Sequence, residues 1–390
     1  MQSFDRAQDL RVALVYDRVN KWGGAERVLL ALHKLFPQAP LYTSVYDKKK
    51  APWASVFDVK TSFLQRLPST TNHELFAAFM PIAFESFSFD KYDLVISVTS
   101  EAAKGIITKP KTRHVCYCLT PTRYLWSGYD EYFKNPYLRF FSKPFVSYLK
   151  NWDKIASHRP DYYIAISKEV QGRIKKYYGR DSKIVYPPLM LGRGPTMTFP
   201  PTSAPASILR NDAVRAVGNP SSHVTPPYNH YFLIVSRLVS YKKIDLAVHA
   251  FNKLKLPLKI IGIGSEMGRL KRMAGPTIEF LGNLTDKELV RYYSECRALV
   301  FPGMEDFGLT MLEAQSFGKP VIAFRGGGAL ETIIDGKTGI FFDEQSIKSL
   351  SAGVERFNNT TIDSSVCKDQ AQKFSFEQFK KKFMKTIEKI

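Results

Sequence analysis

The sequence predicts an α/β protein built from two doubly wound domains that face each other. Three observations support this fold class. An apolar run at residues 11–16 leads through Gly23 and Gly24 into a helical pattern, which is the opening unit of a doubly wound domain. The same alternation of strand and helix begins again at Tyr231. Between the two halves, residues 191–229 are rich in Pro, Ser, Thr and Gly, which is typical of a linker or mobile insertion.

Short apolar runs mark the predicted strands, and periodic segments between them mark the helices. In the first domain, placed at residues 1–190, strands are predicted at residues 11–16, 92–98, 114–118 and 162–166, and a helix runs from Ser167 to Gly179. In the second domain, placed at residues 230–372, strands are predicted at residues 231–235, 258–261, 278–281, 298–301 and 320–324. Helices of this domain are predicted at residues 244–254, after a capping box at Thr285-x-x-Glu288, and from about residue 330.

The last segment, residues 373–390, is predicted to be a helix. It opens with the capping-box pattern Ser375-x-x-Gln378 and carries lysines opposite an apolar stripe. We predict that the stripe packs on the body of the protein, with a helix lying in a membrane interface as the alternative. The stripe consists of Phe376, Phe379, Phe383, Ile387 and Ile390.

The chain carries a large excess of positive charge. Its 390 residues include 56 Lys and Arg against 36 Asp and Glu, which gives a net charge of +20. Such a field favours anionic partners, namely phosphorylated small molecules, an anionic membrane surface or nucleic acid, and charge alone does not choose among them. No signal-peptide pattern and no apolar stretch of roughly 18–20 residues is visible. We therefore expect a cytoplasmic protein, with peripheral attachment to a membrane left open.

The cysteines are too few for a disulfide framework, because the chain has only four. Cys116 and Cys118 follow His114 in the pattern His-x-Cys-x-Cys within a predicted strand. A zinc site needs a fourth ligand and usually a turn between paired cysteines. We therefore interpret the three side chains as alternate residues of a buried strand and expect no metal.

The segment Phe301-Pro-Gly-Met-Glu-Asp-Phe-Gly-Leu-Thr-Met-Leu-Glu-Ala carries the strongest functional signal. A predicted strand ends in a Gly-rich loop that holds Glu305, and a helix that opens at Gly308 carries Glu313. The N-terminus of this helix presents free N–H groups, which favour an anion. A carboxylate on each side can accept hydrogen bonds from hydroxyl groups. Phosphate flanked by polyol is the chemistry of a nucleotide sugar.

Two cations are predicted to lie at the same place. Arg237 and Lys242 follow a predicted strand, at the carboxyl edge of the second sheet, where open α/β sheets bind ligands. An arginine fork and a lysine point charge suit a diphosphate. Each could alone be a solvated surface cation, but their spacing after a strand, upstream of the Glu305 loop, favours a binding role.

Three motifs of the chain resemble those of the retaining GT-B glycosyltransferases of family 4, also called glycosyl transferases group 1. The motifs are Gly23-Gly24-Ala-Glu, Arg237-x4-Lys242 and Glu305-x7-Glu313. The resemblance covers nearly the whole chain except residues 191–229. Residues 116–126 and 236–243 are most similar to mannosyltransferases of bacterial O-antigen and exopolysaccharide assembly. The resemblance implies the GT-B fold, two facing Rossmann-like domains with a C-terminal helix that crosses back to the first domain.

The resemblance also assigns roles to individual residues. In the catalytic set, Arg237 and Lys242 would hold the donor diphosphate. Glu305 would contact the transferred sugar, and Glu313 would accept hydrogen bonds from the ribose hydroxyls. The backbone at residues 307–309 would line the sugar and phosphate. The substrate-binding positions beside Glu313 are Gly23, Gly24, Leu119, Gly262, Leu284, Phe307, Gly308 and Leu309.

The implied reaction is hexose transfer from a nucleotide sugar, GDP-mannose first and a UDP-sugar second. The first domain would bind a lipid-linked or glycan acceptor of cell-surface glycan synthesis, and the second would bind the donor. No cofactor is expected, because Arg237, Lys242 and the helix N-terminus would stabilise the leaving diphosphate without a metal. No separate nucleophile is evident, so we expect retention by front-face attack, with the departing phosphate as base.

Three positions depart from the family pattern. Leu119 stands where related enzymes usually have His near the donor sugar, Ile166 where Asn is common, and Ile263 where Asp is common. These replacements keep a degenerate transferase, which binds nucleotide sugar without turnover, as an alternative. A nucleotide-sugar epimerase of the same shape is a second alternative. An epimerase would need acid/base residues at the sugar, which the two glutamates and Leu119 scarcely supply. Turnover with and without an acceptor separates the three functions.

Residues 124–152 interleave many aromatic side chains with Lys and Arg. They are interpreted as ordinary helices with a core stripe, as an interfacial membrane surface, or as a surface that stacks single-stranded nucleic acid. No nucleic-acid-binding motif supports the third interpretation, and we expect no nucleic-acid partner. A lipid-diphosphate acceptor, which the resemblance implies, would use the second.

Overall fold

The structure, a computed structural model, describes residues 10–67, 77–132, 136–190 and 231–389. Within these residues, the strands of the first half of the chain are β1 (Val12–Tyr16), β2 (Leu41–Thr43), β3 (Val59–Thr61), β4 (Leu94–Thr99), β5 (Arg113–Cys118), β6 (Tyr162–Ala165) and β7 (Lys183–Ile184). Those of the second half are β8 (Phe232–Val235), β9 (Leu258–Ile261), β10 (Ile278–Gly282), β11 (Leu299–Phe301), β12 (Val321–Phe324) and β13 (Gly339–Phe342). The predicted linker, residues 191–229, lies outside the described residues.

The strands form two parallel sheets with the same winding. The first sheet has the order β3-β2-β1-β4-β5-β6-β7 and the second has the order β10-β9-β8-β11-β12-β13. Each chain half therefore starts in the middle of its sheet, winds outward, and then returns to fill the other side. The direction of winding reverses between β1 and β4 in the first sheet and between β8 and β11 in the second. In open α/β sheets, the crevice outside the carboxyl ends of the strands at this reversal is the usual ligand site.

Helices cover the sheets and follow signals that are visible in the sequence. The helix predicted at residues 244–254 has these bounds in the structure, and the capping box of Thr285 and Glu288 is formed. Gly179 ends its helix in the left-handed conformation, with φ of 68°. The helices are α1 (Gly24–Leu35), α2 (Met80–Glu85), α3 (Tyr129–Tyr132), α4 (Pro136–Ala156), α5 (Lys168–Tyr178), α6 (Ile244–Leu254), α7 (Met267–Met273), α8 (Asp286–Glu295), α9 (Leu309–Ser316), α10 (Ala329–Thr332), α11 (Ile347–Asn358), α12 (Ser364–Gln372) and α13 (Phe376–Ile387).

The C-terminal helix α13 packs against the first domain, although it follows the second domain in the chain. Phe379 and Phe383 are buried, and both rings lie beside Tyr117 of β5, at centroid distances of 6.2 and 6.3 Å. The described part of the stripe therefore packs on the body of the protein, and the predicted crossing is confirmed. Ile390 lies outside the described residues. The predicted capping box is wrong, because the Ser375 side chain accepts no capping hydrogen bond.

The strand β5 holds the His-x-Cys-x-Cys pattern inside the first sheet. His114, Cys116 and Cys118 are all buried, and Nε2 of His114 lies 2.8 Å from the hydroxyl of Ser97. Burial, with a smaller contribution from the charge of Arg159, lowers the pKa of His114 to about 3. His114 is therefore neutral at physiological pH and part of the core.

Candidate active site

The predicted site residues follow strands on both sides of the gap between the two sheets. Arg237 comes two residues after β8, and the loop that holds Glu305 follows β11, so both lie where the winding of the second sheet reverses. In the first sheet, Gly23 and Gly24 follow β1, at the corresponding reversal. The two crevices face one another, because residues that follow β1 contact residues that follow β11. Gly24 lies against Leu309, and Arg27 pairs with Glu313.

Lys242 is the most buried cation of this group. It ends a short turn, Ser240–Lys242, and is 7% exposed. Its ammonium forms an ion pair with the carboxylate of Glu305. Burial lowers the pKa of Lys242, and the positive charges of Arg237 and Arg123 act in the same direction. An anion placed here would favour the charged form of Lys242 and oppose this lowering of its pKa.

Arg237 is the exposed cation of the group. Its Nη2 donates a hydrogen bond of 2.6 Å to the hydroxyl of Tyr241. Across the gap, the carboxyl of Glu26 on α1 is buried and accepts a hydrogen bond of 2.5 Å from Tyr16. Burial raises the pKa of Glu26, while the charges of Lys21 and Arg237 oppose the shift. A buried carboxyl of the first domain therefore lies within electrostatic reach of the predicted diphosphate cation.

Backbone packing fixes the loop that holds Glu305. Its carbonyl accepts a hydrogen bond of 2.8 Å from the amide of Gly328. A Cβ on Gly327 would lie 2.2 Å from the same carbonyl, and one on Gly328 would lie 2.3 Å from Cα of Phe307. Only glycine permits this approach of the two loops. The side chain of Glu305 stays 25% exposed and is held on one side by Lys242.

The N-terminus of α9 lies against the glycine loop of the first domain. Gly308 begins the helix in the left-handed conformation, with φ of 83°. A Cβ on Gly24 would lie 3.3 Å from the side chain of Leu309, so the two segments are in contact. The Phe307 side chain turns away and stacks on Tyr186, with centroids 5.6 Å apart. The backbone at residues 307–309 is therefore what this segment can offer a ligand.

Glu313 is buried between the two domains and already has two partners. It is 2% exposed, forms an ion pair with Arg27 of α1, and accepts a hydrogen bond of 2.7 Å from the hydroxyl of Tyr293. Arg27 also lies 3.6 Å from Asp286. A ribose at Glu313 would have to displace Arg27, and Asp286 offers that guanidinium a second anionic partner.

The remaining predicted positions lie at different depths around the gap. Leu119 is partly buried against the core of the first domain, directly after β5. A Cβ on Gly262, whose φ is 136°, would lie 1.8 Å from the carbonyl of Ser236, so this position requires glycine. Leu284 packs on the core beside β8 and β11.

The other two departures from the family pattern have separate positions. Ile263 is 52% exposed, so this apolar side chain faces solvent in the structure. Ile166 is buried within the first core, and its methyl groups pack where a polar side chain would need a partner.

Sequence reasoning missed a group of charged residues that bridges the gap. The carboxylate of Asp306 lies 2.7 Å from Nη2 of Arg123 and 2.5 Å from Nη1 of Arg173. Asp306 and Arg173 are 133 positions apart. Arg123 lies within residues 116–126, one of the segments that resemble mannosyltransferases. No local pattern in the sequence indicates that Arg173 contacts the second domain.

The described residues contain no cluster of three or more His, Cys, Asp or Glu side chains that could hold a metal ion. Among those residues, no helix is both long and apolar enough to cross a bilayer.

Comparison with known proteins adds to this geometry. The segment that contains Arg237, Lys242, Glu305 and Glu313 matches a known family model. Residues 219–374 match glycosyl transferases group 1. This match covers the whole of the predicted second domain, and it includes the four charged residues that the sequence predicts to bind the donor.

Curated relatives match over shorter segments. An uncharacterised glycosyltransferase of Methanocaldococcus jannaschii is 29% identical over 160 residues, which cover 39% of this chain and 45% of the relative. A GDP-mannose-dependent alpha-(1-6)-phosphatidylinositol monomannoside mannosyltransferase of Mycolicibacterium smegmatis is 30% identical over 138 residues, or 31% of this chain and 36% of the relative. The chain thus spans less than half the length of these two relatives.

A solved structure matches over nearly the full length. The chain is similar to Anabaena Alr3699/HepE, whose structure was determined in complex with UDP and glucose, with a TM-score of 0.66 and 19% identity. The match covers 98% of this chain and all of the other. Together with the two sheets and the returning helix α13, this likeness shows the GT-B fold, as predicted.

Proposed function

We propose that the protein is a retaining glycosyltransferase of family 4 that transfers a hexose from a nucleotide sugar. Mannose from GDP-mannose is the first candidate, and a UDP-sugar is the second. The acceptor would be a lipid-linked or polysaccharide glycan of the cell surface, such as lipopolysaccharide or exopolysaccharide. Residues 230–372 would bind the donor and residues 1–190 the acceptor. The mannosyltransferase of Mycolicibacterium smegmatis supports the choice of donor.

One observation carries the proposal: Lys242, Glu305 and the N-terminus of α9 meet at the winding reversal of the second sheet, opposite the Gly23–Gly24 loop. A buried cation and free helix N–H groups together favour a diphosphate. The buried carboxylate of Glu313 lies one to two helical turns further along α9. A carboxylate that can accept hydrogen bonds from hydroxyl groups, next to a site that favours an anion, is the combination that a nucleotide sugar would need.

Stabilisation of the negative charge on the leaving diphosphate would speed the reaction. As the bond between the anomeric carbon and the phosphate oxygen breaks, negative charge grows on the diphosphate. Lys242, Arg237 and the α9 N-terminus would stabilise this charge more than that of the intact donor, which lowers the barrier. The acceptor hydroxyl would attack the same face, and its proton would pass to the departing phosphate oxygen. Glu305 would hold the sugar during this exchange.

The cations provide the direct test. Arg237→Ala and Lys242→Ala are each expected to lower sugar transfer by about 100-fold or more, because each removes transition-state charge stabilisation. Lys271→Ala, an exposed lysine on α7, is the matched control and should leave transfer unchanged. Circular dichroism checks that the variants fold. Near-wild-type transfer by both variants would defeat the proposal.

Donor identity can be tested without an acceptor. A ligand that binds only the native state raises the melting temperature, and the rise increases with the ratio of ligand concentration to dissociation constant. We expect GDP to raise the melting temperature more than UDP at equal concentration. A larger shift with UDP would keep the transferase proposal and replace mannose with a UDP-linked sugar.

We further propose that the first domain works on an anionic membrane surface, the inner face of the plasma membrane. The helix α4 exposes a second apolar face in addition to the one that it buries. Tyr137 lies three and four residues before the adjacent Phe140 and Phe141, and the other two members follow Phe141 at successive intervals of seven, so the five share one face of the helix. They are Tyr137 (77% exposed), Phe140 (73%), Phe141 (77%), Tyr148 (50%) and Ile155 (56%).

Basic residues run along the same helix beside this aromatic face. They are Arg139, Lys143, Lys150 and Lys154, and each is exposed. The one acidic residue of α4, Asp153, is buried and pairs with Lys104. Exposed aromatic rings with adjacent cations suit the headgroup region of an anionic bilayer. Lys150 of α4 lies over the ring of Trp126, 4.7 Å from its centroid, so α4 packs beside the segment that follows Arg123.

Flotation with vesicles of phosphatidylglycerol and phosphatidylcholine tests the membrane surface. The wild type is expected to float at low salt, and the double change of Phe140 and Phe141 to Ser should abolish flotation. Ile107→Ser, which removes another exposed apolar side chain, is the control and should still float. Failure of the wild type to float would refute the membrane surface and leave the transfer proposal standing.

A further inference from the structure

Three ionised side chains bridge the two domains beside Glu305. The carboxylate of Asp306 in the second domain pairs with two guanidinium groups of the first domain, those of Arg123 and Arg173, at 2.7 and 2.5 Å. The three side chains are 13%, 24% and 12% exposed, respectively. Pairs that are this well shielded from water interact more strongly than surface ion pairs.

Each arginine of the bridge is held by other groups. Arg173 also pairs with Glu169 at 2.9 Å and donates to the hydroxyl of Thr120 at 3.2 Å. Arg123 lies over the ring of Tyr241, 5.4 Å from its centroid. These contacts limit the positions that the guanidinium groups can take. A movement of the first domain would therefore move the guanidinium groups that Asp306 contacts.

The bridge adjoins the residue predicted to hold the transferred sugar. Asp306 directly follows Glu305, and the carbonyl of Glu305 is fixed by Gly328. Because the backbone is anchored there, a pull of the arginine pair on Asp306 would act on the Glu305 side chain, which is 25% exposed, and shift it relative to its ion-pair partner Lys242. A misplacement of about 1 Å at a reacting centre can cost about 100-fold in rate.

Charge explains why the bridge needs a carboxylate at this position. Without Asp306, Arg123 would face Lys242, on which its charge already acts, with no carboxylate between them, and like charges would oppose closure. With Asp306 in place, two positive charges of the first domain meet a negative charge of the second. Closure is thus favoured beside the predicted diphosphate position.

We propose that Asp306 is a positioning residue that couples closure of the first domain, through Arg123 and Arg173, to the placement of Glu305. The inference rests on the proposed transferase function. Asp306 itself touches neither donor nor acceptor in this scheme.

The conservative variant Asp306→Asn tests the coupling. It should lower kcat by about 10–100-fold while the affinity for GDP changes by less than about 3-fold, because the diphosphate cations remain. Combining it with Arg173→Gln should add little further loss, since both changes break one bridge. Glu331→Gln is the matched control. It removes another carboxylate that bridges the domains, one that accepts from Tyr186 at 2.8 Å, and should leave kcat unchanged.

Hydrogen exchange gives a readout that does not depend on activity. Asp306→Asn is expected to speed amide exchange at residues 303–308, and Glu331→Gln should not. Unchanged kcat together with unchanged exchange in Asp306→Asn would overturn the inference, as would an equal loss of kcat in Glu331→Gln. If the wild type transfers no sugar, the transferase proposal fails and the exchange measurement alone decides whether Asp306 fixes this loop.

Discussion

Removing the Phe383 ring is expected to destabilise the first domain, although this residue lies near the C-terminal end of the chain. Phe383 is fully buried and lies 5.4 Å from the ring of Phe379 and 6.3 Å from that of Tyr117. A change of a buried Phe to Ala costs about 3–5 kcal/mol. With a urea m-value of about 2 kcal/mol/M, a loss of about 4 kcal/mol lowers the unfolding midpoint by about 2 M.

The positions of the tryptophans make this effect measurable in one domain. All four, Trp22, Trp53, Trp126 and Trp152, belong to the first domain. Tryptophan fluorescence in urea therefore follows the first domain, while far-ultraviolet circular dichroism follows both.

Two controls decide whether the effect comes from this packing. Lys381→Ala changes an exposed side chain of the same helix and should leave the fluorescence midpoint in place. Phe251→Ala opens the core of the second domain and should shift the circular dichroism transition more than the fluorescence transition. The expected fall in the urea midpoint of Phe383→Ala, followed by fluorescence, is about 2 M. A midpoint within about 0.3 M of wild type would refute the reasoning.

Three further predictions concern pH, the buried ion pair and backbone strain. The pKa of His114 is lowered to about 3, so its contribution to stability is complete above about pH 6.5 and falls by about 1.4 kcal/mol per pH unit between there and about pH 3. His114→Gln should make this slope shallower in urea titrations, although His33, whose pKa burial also lowers, still contributes, whereas the exposed control His158→Gln should keep it. Arg27→Gln leaves buried Glu313 without its cation and should lower the free energy of unfolding in urea by about 3–5 kcal/mol. The same change should strengthen GDP binding in calorimetry, because Arg27 no longer competes with the ribose for Glu313, and weaker binding would contradict this competition. Gly262→Ala should destabilise the second domain by more than about 2 kcal/mol in the circular dichroism transition, because both φ and the Ser236 carbonyl exclude a Cβ; an unchanged transition would count against this close approach.

Much of the fold could be predicted because the buried parallel strands are short apolar runs. The strands β8 and β9 were predicted to within one residue, since both faces of each are covered. The strands β2, β3 and β7 have two or three residues each, too few for a periodic signal. The C-terminal capping box failed because a side-chain pattern does not by itself fix the rotamer that makes the hydrogen bond.

Some parts of the candidate site could likewise be predicted from the sequence, and others could not. Residues that follow strand ends, such as Arg237 and Glu305, could be placed together because parallel strands end at one edge of a sheet. The pairing of Arg27 with Glu313 joins positions 286 apart, and it depends on how the two domains face each other. Local sequence carries no information on that orientation. The assigned roles, and the domain bounds, stay predictions until variants are measured.

The shared winding of the two sheets also bears on how such a protein can diversify. Each domain contributes its loops to the gap from equivalent places, after its first and fourth strands. Loops on one wall can therefore be exchanged while the opposite wall keeps its strands, helices and core. A chimera that takes its first domain and returning helix from a relative, and its second domain from this chain, would separate choice of acceptor from choice of donor. Asp306, Glu313 and Glu331, three carboxylates of the second domain that contact the first, would set which first domains it can accept.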